Sequence, residues 1–371
     1  MDRRLFINKA GLVSASIAVA GSANSQSNEK KPLKVAVIGL VHAHVHGILG
    51  RAKNGDIEIV AIVEPNKALA NRYSKLHNFS MELVYDTMDQ MITKVKPEAV
   101  SVFCSTYDHL KAVEFFAPRG IHIMVEKPLA VSVSHVNKMR ELALKHNIQL
   151  LTNYETSWYG THKKAWQYMI EEHKGGDLRK IVFHTGHLGP IEIGTSKEFI
   201  EWLTDPVLNG AGALMDFGCY GANMATWLMK GERPLTVQCT TLHIKPEIYT
   251  KVEDECTIVL TYPKSQVIIE ASWNWPFNRK DMEVYGQHGY LICEDRANMN
   301  YRWKGDKQAT KEVVPENAAP FSDPFAFLNA VVKKQVTIPS FDLSSLENNV
   351  VVVEILEAAK QSAKSGKVIK L

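Results

Sequence analysis

The sequence has no CxxC pair, no surplus of either charge and no apolar run long enough to span a bilayer, and each absence removes a class of function. Its five cysteines, Cys104, Cys219, Cys239, Cys256 and Cys293, are odd in number and far apart. That spacing builds neither a zinc knuckle nor a disulfide framework and reads as scattered buried thiols. The 43 basic and 40 acidic residues are mixed along the chain and net only +3, so no electrostatic footprint for nucleic acid stands out. There is no internal repeat and no low-complexity tract. What remains is ordinary globular material with a small molecule as the expected partner. With 371 residues, 45% of them hydrophobic, it is long enough for two domains that each bury a core.

The first residues read differently. MDRRLFINKA carries Arg3 and Arg4, and the uncharged run GLVSASIAVAG follows, then small residues around Ala23. This is the order of an export signal over residues 1–23, and the paired arginines resemble the twin-arginine type, which exports folded proteins. A polar linker then runs to residue 31, and after signal removal no membrane span is expected.

From residue 32 to 152 short β-rich runs alternate with amphipathic helical stretches: KVAVIG, IEIVAIVE, AVSVFCS, HIMVEKP and IQLLTN are the strands. That rhythm predicts a doubly wound parallel sheet with crossover helices. From residue 153 to 371 the runs LTVQCTTLHI, CTIVLTY, SQVIIEASW and DMEVYGQHGYLIC follow without intervening helices. They predict a second domain on a large, mostly antiparallel open sheet. FGCYGANMATWLM is expected as a helix across it, and LENNVVVVEILEAAKQSAKSG as a final amphipathic helix ending at Gly366.

Glycine is scarce at the one turn where it is most expected. In VAVIGLVHAHVHG, Gly39 follows the first strand as a dinucleotide-binding turn requires, but Val41 and His44 stand where the second and third glycines usually do. Glu64 ends the second strand 25 residues later, where a carboxylate binds the adenosine ribose hydroxyls and repels a 2′-phosphate. The expected cofactor is therefore NAD, with NADP as the alternative. His42 and His46 at i, i+4 have a spacing used by metal pairs. No local carboxylate or cysteine completes such a set, so no metal site is assigned, and His42 and His44 are taken as cofactor-side residues.

The segments GIHIMVEKPLAVSVSHVNKM and LNGAGALMDFGCYGANMATWLMKG resemble the sugar-oxidising dehydrogenase family named for glucose-fructose oxidoreductase, inositol dehydrogenase and MocA. The family's strand-end EKP is Glu126, Lys127 and Pro128 here, its Dx3H or Dx3Y pair is Asp216 and Tyr220, and STYDHLKA is similar to its TPNxxH loop with Thr106 retained. The resemblance runs from about Lys34 to Leu371. It implies hydride transfer between bound NAD and a sugar, polyol or glycoside, and a homo-oligomer. Lys127 would favour the developing alkoxide, with Glu126 orienting the lysine or the nicotinamide end. Asp216 and Tyr220 would project from one helix face, the phenol acting as acid/base once Lys127 lowers its ordinary pKa of about 10. Asn153, Asn223 and His187 are expected on sugar hydroxyls, with His184 and four tryptophans, Trp158, Trp202, Trp273 and Trp275, as further wall candidates.

Export adds a condition. Outside the cytoplasm spent cofactor has no soluble pool to exchange with, so the dinucleotide should be tightly bound and recycled within each cycle. Two other readings stand beside the oxidoreductase. One is a redox-neutral NAD-dependent glycosidase working through a keto-sugar. The other is a non-catalytic carbohydrate-binding or interaction protein whose nucleotide turn has decayed.

Overall fold

The strand LKVAVI is buried at every position except Lys34, which is the pattern of a strand covered on both faces. It is β1 (Leu33–Ile38), the centre of a six-stranded parallel sheet with β2 (Ile57–Val63), β3 (Val84–Tyr85), β4 (Ala99–Val102), β5 (His122–Glu126) and β6 (Leu150–Asn153). The order is β3-β2-β1-β4-β5-β6, so the chain reverses direction across the sheet between β1 and β4. In such sheets ligands bind at that switch point, beyond the carboxyl ends of the strands. The computed structural model describes residues 31–371, and the expected export signal lies outside them. Residues 32–371 form one compact unit.

The crossovers are α1 (Val45–Leu49), α2 (Lys67–His77), α3 (Met88–Lys94), α4 (His109–Phe116) and α5 (Val133–Lys145). Three begin with a side-chain cap: Asn66 accepts from the Leu69 amide, Thr87 from that of Gln90 and Ser132 from that of His135, satisfying amides that the first turn leaves orphaned. Helix α1 is shorter than HVHGILGRAKN promised, because the chain winds through a turn at His42 to His44 before it becomes helical. Strand β3 was not foreseen, since two residues carry no readable period.

The second half is a nine-stranded sheet. Its members are β7 (Leu178–Gly186), β8 (Thr236–Leu242), β9 (Glu255–Thr261), β10 (Gln266–Ser272), β11 (Arg279–Gly286), β12 (Gly289–Cys293), β13 (Asn298–Trp303), β14 (Thr310–Val313) and β15 (Ile369–Lys370). The order is β14-β13-β12-β11-β7-β10-β9-β8-β15, and only β7 and β10 pair in parallel. The predicted parallel sheet and the mostly antiparallel one are both present.

The remaining helices are α6 (Gly160–Trp166), α7 (Lys197–Leu203), α8 (Ala213–Asp216), α9 (Gly218–Leu228), α10 (Pro324–Val332) and α11 (Leu346–Ser365). Helix α11 starts at the Ser345 cap and stops at Gly366, whose φ of 66° is left-handed, as the sequence promised. Its Val351, Val352, Ile355 and Leu356 join the core under the large sheet, while Val350 and Val353 join that of the parallel sheet. Phe325, Phe327, Leu328 and Val331 of α10 pack with β1 and α2, so the end of the chain returns to the first sheet. All five cysteines are free and four of them buried. Among the described residues no helix is long and apolar enough to cross a membrane.

Candidate active site

Two interruptions in regular structure bring the reactive groups together. The first is the end of β5, which delivers Glu126 and Lys127. The second is a break between α8 and α9 at Phe217, with φ −108° and ψ −34°. Asp216 and Tyr220 therefore do not lie on one continuous helix, contrary to expectation. The break is fixed from below: Glu253 is buried and its Oε1 accepts the amides of Gly212 and Leu214, both at 2.9 Å. Gly212 approaches so closely that a Cβ there would lie 1.9 Å from the Glu253 carbonyl oxygen.

The break leaves the Asp216 carbonyl to be shared, and Lys127 uses it. The ammonium donates to that oxygen at 2.9 Å and to the Asp216 carboxylate at 2.5 Å. Trp273 donates its indole N–H to the other carboxylate oxygen at 2.9 Å. Both partners are buried. Burial alone would push the lysine down and the aspartate up, but each outweighs that cost for the other, so Lys127 is raised and Asp216 lowered. The pair is held ionised.

Tyr220 lies beneath this pair. Lys127 Nζ sits 4.9 Å from the ring centroid and Lys280 Nζ 5.0 Å. The expectation that Lys127 lowers the phenol is not met: burial, reinforced by Glu155, Cys219, Asp216 and Glu126, holds it well above its ordinary value. Both ammoniums are placed against the ring rather than bonded to the hydroxyl. A phenol kept protonated is a donor.

Three further groups ring the site. Lys280 pairs with Glu155, which also accepts the Tyr159 hydroxyl at 2.8 Å. Burial opposes ionisation of Glu155, but Lys280 and Tyr159 bring it down to about 2. His187 packs its ring edge-on against Phe217, centroids 4.8 Å apart, and its Nδ1 accepts the Gly189 amide at 2.9 Å. Burial lowers its pKa, with Asp216 opposing, so the ring is neutral with its hydrogen on Nε2. Glu126 accepts from Asn153 at 2.7 Å and meets His44 Nδ1 at 2.8 Å, so it holds these two rather than orienting Lys127.

The dinucleotide cleft, about 530 Å³, opens beside Gly39, Glu64, Ser105, Lys111 and Trp202. Gly39 has φ 79°, and a Cβ would press on Phe103 and Cys104 backbone at 3.1 Å, so the one retained glycine is the one the turn requires. Glu64 accepts the amides of Leu40 and Asn66 at 2.9 and 2.8 Å. A carboxylate has about four acceptor positions, which leaves capacity for two ribose hydroxyls. These residues fit NAD. Helix α7 lies over the turn: Trp202 donates to the Val41 carbonyl, and Phe199 and Trp202 pack on the His42 ring at 5.1 and 5.5 Å.

Several expected residues lie elsewhere. His42 is buried under α7, its Nδ1 accepting the His44 amide at 3.1 Å, and it shares no face with His46, which bonds His77 at 2.7 Å. Thr106 is buried, its hydroxyl directed at Asn209. Asn223 is fully buried and donates to the Leu343 carbonyl, so it braces α9 against the loop before α11 and does not meet a sugar. Asn153 is spent on Glu126 and on the Trp158 indole. His184 bonds Asp281 on the sheet face opposite Thr185, whose hydroxyl reaches the Phe217 carbonyl; strand alternation separates it from the pocket. Lys280 and Glu155 were missed. Lys280 is in phase with the buried Met282 and Val284 of β11, and a lysine among inward-facing positions was the available signal.

The fold has a switch-point cleft of the kind that binds dinucleotides, together with a buried lysine–aspartate pair. Residues 33–154 match the oxidoreductase family with an NAD-binding Rossmann fold, GFO/IDH/MocA, and residues 164–292 match the GFO/IDH/MocA C-terminal domain. These two matches take in more than half of the chain, which belongs to the GFO/IDH/MocA family. It is 23% identical over 219 residues to trans-1,2-dihydrobenzene-1,2-diol dehydrogenase of Xenopus laevis, covering 58% of this chain and 61% of that protein. It is 28% identical over 211 residues to D-glucoside 3-dehydrogenase of Escherichia coli, covering 53% and 54%. The chain thus spans only about three fifths of the former's length and half of the latter's. Among solved structures it resembles aldose-aldose oxidoreductase from Caulobacter crescentus, at TM-score 0.77 and 21% identity over 92% of this chain and 100% of that one. An inositol dehydrogenase homolog from Azotobacter vinelandii complexed with NAD+ gives TM-score 0.76 and 16% identity over 92% and 98%.

Proposed function

We propose that this protein is an exported NAD-dependent oxidoreductase that oxidises a secondary alcohol of a sugar, polyol or glycoside and keeps its dinucleotide bound between turnovers. The observation that carries this reading is Lys127, just beyond the end of β5, fixed between the carboxylate and the carbonyl of Asp216 in a fold whose parallel sheet has Gly39 and Glu64 on a cleft at its switch point. In this reading residues 32–152 hold the cofactor and 153–371 the substrate, and the face of the large sheet away from α9 pairs with a second copy. The twin-arginine-like signal supports export with cofactor already loaded. The D-glucoside 3-dehydrogenase and aldose-aldose oxidoreductase relatives support a carbohydrate substrate.

Bound NAD supplies the hydride acceptor. The chain's own groups do the rest. Lys127, permanently cationic, stabilises charge on the substrate oxygen as the O–H bond breaks. Asp216 keeps that ammonium in place and Trp273 keeps Asp216 in place. The Tyr220 hydroxyl and the His187 Nε2–H donate to neighbouring oxygens and fix the ring of the sugar. Glu64 selects the adenosine ribose.

The test is to purify the protein without added nucleotide, denature it and identify the released dinucleotide by mass and absorbance. Near-stoichiometric NAD is expected; an empty protein that takes up neither NAD nor NADP at millimolar concentration overturns the reading. Lys127→Ala should abolish turnover with a modest loss of sugar binding.

One observation favours a second reading. The Lys280–Glu155 pair facing Tyr220 is more acid/base equipment than one oxidation needs, and it suits a cycle that oxidises a glycoside, expels the aglycone and reduces the sugar again. Release of free sugar without added oxidant separates the two.

A further inference from the structure

We propose that His44, not Tyr220, is the general base of this site: its Nε2 takes the substrate hydroxyl proton while Glu126 holds the ring through Nδ1. The proposal rests on the oxidoreductase reading above. Of the three residues expected at the catalytic centre, only Tyr220 was expected to move the proton, and all three are engaged. Lys127 is protonated and donates to Asp216, Asp216 accepts from both Lys127 and Trp273, and Tyr220 is buried as the neutral phenol. The ammonium and the phenol have no basic lone pair, and the lone pairs left on Asp216 are made less basic by the ammonium against it.

His44 has a basic lone pair. It occupies a turn position that glycine usually fills, and its side chain spans from the end of β1 to the end of β5, where Nδ1 meets Glu126 Oε2 at 2.8 Å. A carboxylate only accepts, so in the neutral ring the hydrogen is on Nδ1 and the lone pair on Nε2. Glu126 is itself fixed: it is 2% exposed, and its second oxygen accepts from Asn153, whose own oxygen accepts the Trp158 indole N–H at 3.0 Å. The carboxylate, histidine and open ring nitrogen stand in the relation that orients a base in hydrolase triads. The His44 side chain is 36% exposed, so the ring is partly open to solvent. Glu155, on the segment after β6, lies near enough to His44 to interact electrostatically, and it pairs with Lys280, whose ammonium rests against the Tyr220 ring. His187 carries the opposite tautomer, with Nδ1 taken by the Gly189 amide and Nε2–H free to donate. The pocket thus has an accepting imidazole and a donating one.

The step balances. The carbinol C–H electron pair leaves with its hydrogen to the dinucleotide, the O–H bond breaks toward His44 Nε2, and the oxygen electrons close the C=O bond. A ketone and a His44 imidazolium beside Glu126 result. The charged and titratable groups facing His44 are His42 on its own turn, Glu126 on β5 and Glu155.

The test uses the protein as purified, its His44→Gln and Glu126→Gln variants, and D-glucose, methyl β-D-glucopyranoside and myo-inositol as probes. Nitrogen-15 spectra of labelled histidine, with the His44 signals identified by their loss in His44→Gln, should show the Nδ1–H tautomer. His44→Gln should lower kcat about 100-fold or more, at least the lower end of what general base catalysis contributes, remove the acidic limb of the pH profile and leave KM nearly unchanged. Imidazole should restore part of the rate to His44→Ala. An Nε2–H tautomer, a retained acidic limb, a loss confined to dinucleotide affinity, or a stoichiometric transition metal on His44 overturns the proposal. If wild type turns over none of the probes while NAD is bound or supplied, the functional reading fails and the base assignment with it. The tautomer spectrum of that sample then tells whether the paired imidazole exists at all.

Discussion

Trp202 donates its indole N–H to the carbonyl of Val41, 3.3 Å away, which lays a helix from the second half of the chain directly on the dinucleotide turn. The same helix sends Glu198 to Arg72 on α2 at 2.9 Å, and the loop beyond it accepts the Tyr107 amide at the Leu208 carbonyl. A dinucleotide in the cleft is covered by this strap from the β2 side to the β4 side. Trp202→Ala removes the indole contact and the face on which His42 rests. Dinucleotide release should accelerate by at least about tenfold, one hydrogen bond's worth of roughly 1.4 kcal/mol. Dissociation followed by fluorescence after dilution checks this; an unchanged off-rate would mean that α7 does not retain the cofactor.

Glu64 ties the Leu40 amide to the end of β2, and in the proposed function its remaining lone pairs face a ribose. Glu64→Gln keeps an acceptor for Leu40 and discards the charge that repels a 2′-phosphate. NAD affinity should fall about tenfold while NADP affinity rises, and the ratio of the two dissociation constants is the measurement. Equal losses for both dinucleotides would assign Glu64 to the turn alone.

Buried histidines make stability fall toward acid pH, His109 and His162 among them. His109 donates Nδ1–H to the Leu129 carbonyl and His162 to that of Thr156, and burial pushes each down to about 4. Each folded value lies below the unfolded one near 6.5, so the unfolded chain binds the proton first. Their contribution is whole above pH of about 6.5 and is lost as the pH falls toward 4. The melting temperature should decline across that window, and the decline should flatten in His109→Gln and His162→Gln. A flat profile in wild type would contradict the burial of both rings.

What could be read in the sequence divides by the range of the interactions involved. Strand and helix periods, Gly39, Glu64 and the lysine of EKP are local, and each is where the pattern put it. The final helix was legible down to its glycine stop. The short strand β3 was not, because its existence depends on β2 offering a free edge. The break at Phe217 depends on Glu253, far along the chain, and so does the pairing of Lys127 with the Asp216 carbonyl. Asn223 was misread for a related reason: α9 is buried on nearly every side, so a helical period could not say which polar residue meets solvent and which meets α11. The histidines of the turn showed their chemistry but not their partners, since Glu126 and His77 lie many residues away.

The Tyr220 hydroxyl separates the role expected from resemblance from the role its surroundings allow. If the phenol were the base, its ionisation would appear as an alkaline rise in rate, and Tyr220→Phe would remove that rise together with nearly all activity. Burial and the carboxylates around it keep the proton on Tyr220, so in the proposed function it serves as a hydrogen-bond donor to the substrate and not as the base. Removing one such donor costs about 100- to 1,000-fold in kcat when the bond strengthens in the transition state. Tyr220→Phe should therefore lose rate within that range, fold normally because the ring and its contacts with Tyr154 and Phe217 are kept, and show the same pH profile as wild type. A pH profile that changes shape in Tyr220→Phe, measured beside His44→Gln, would return the proton to the tyrosine.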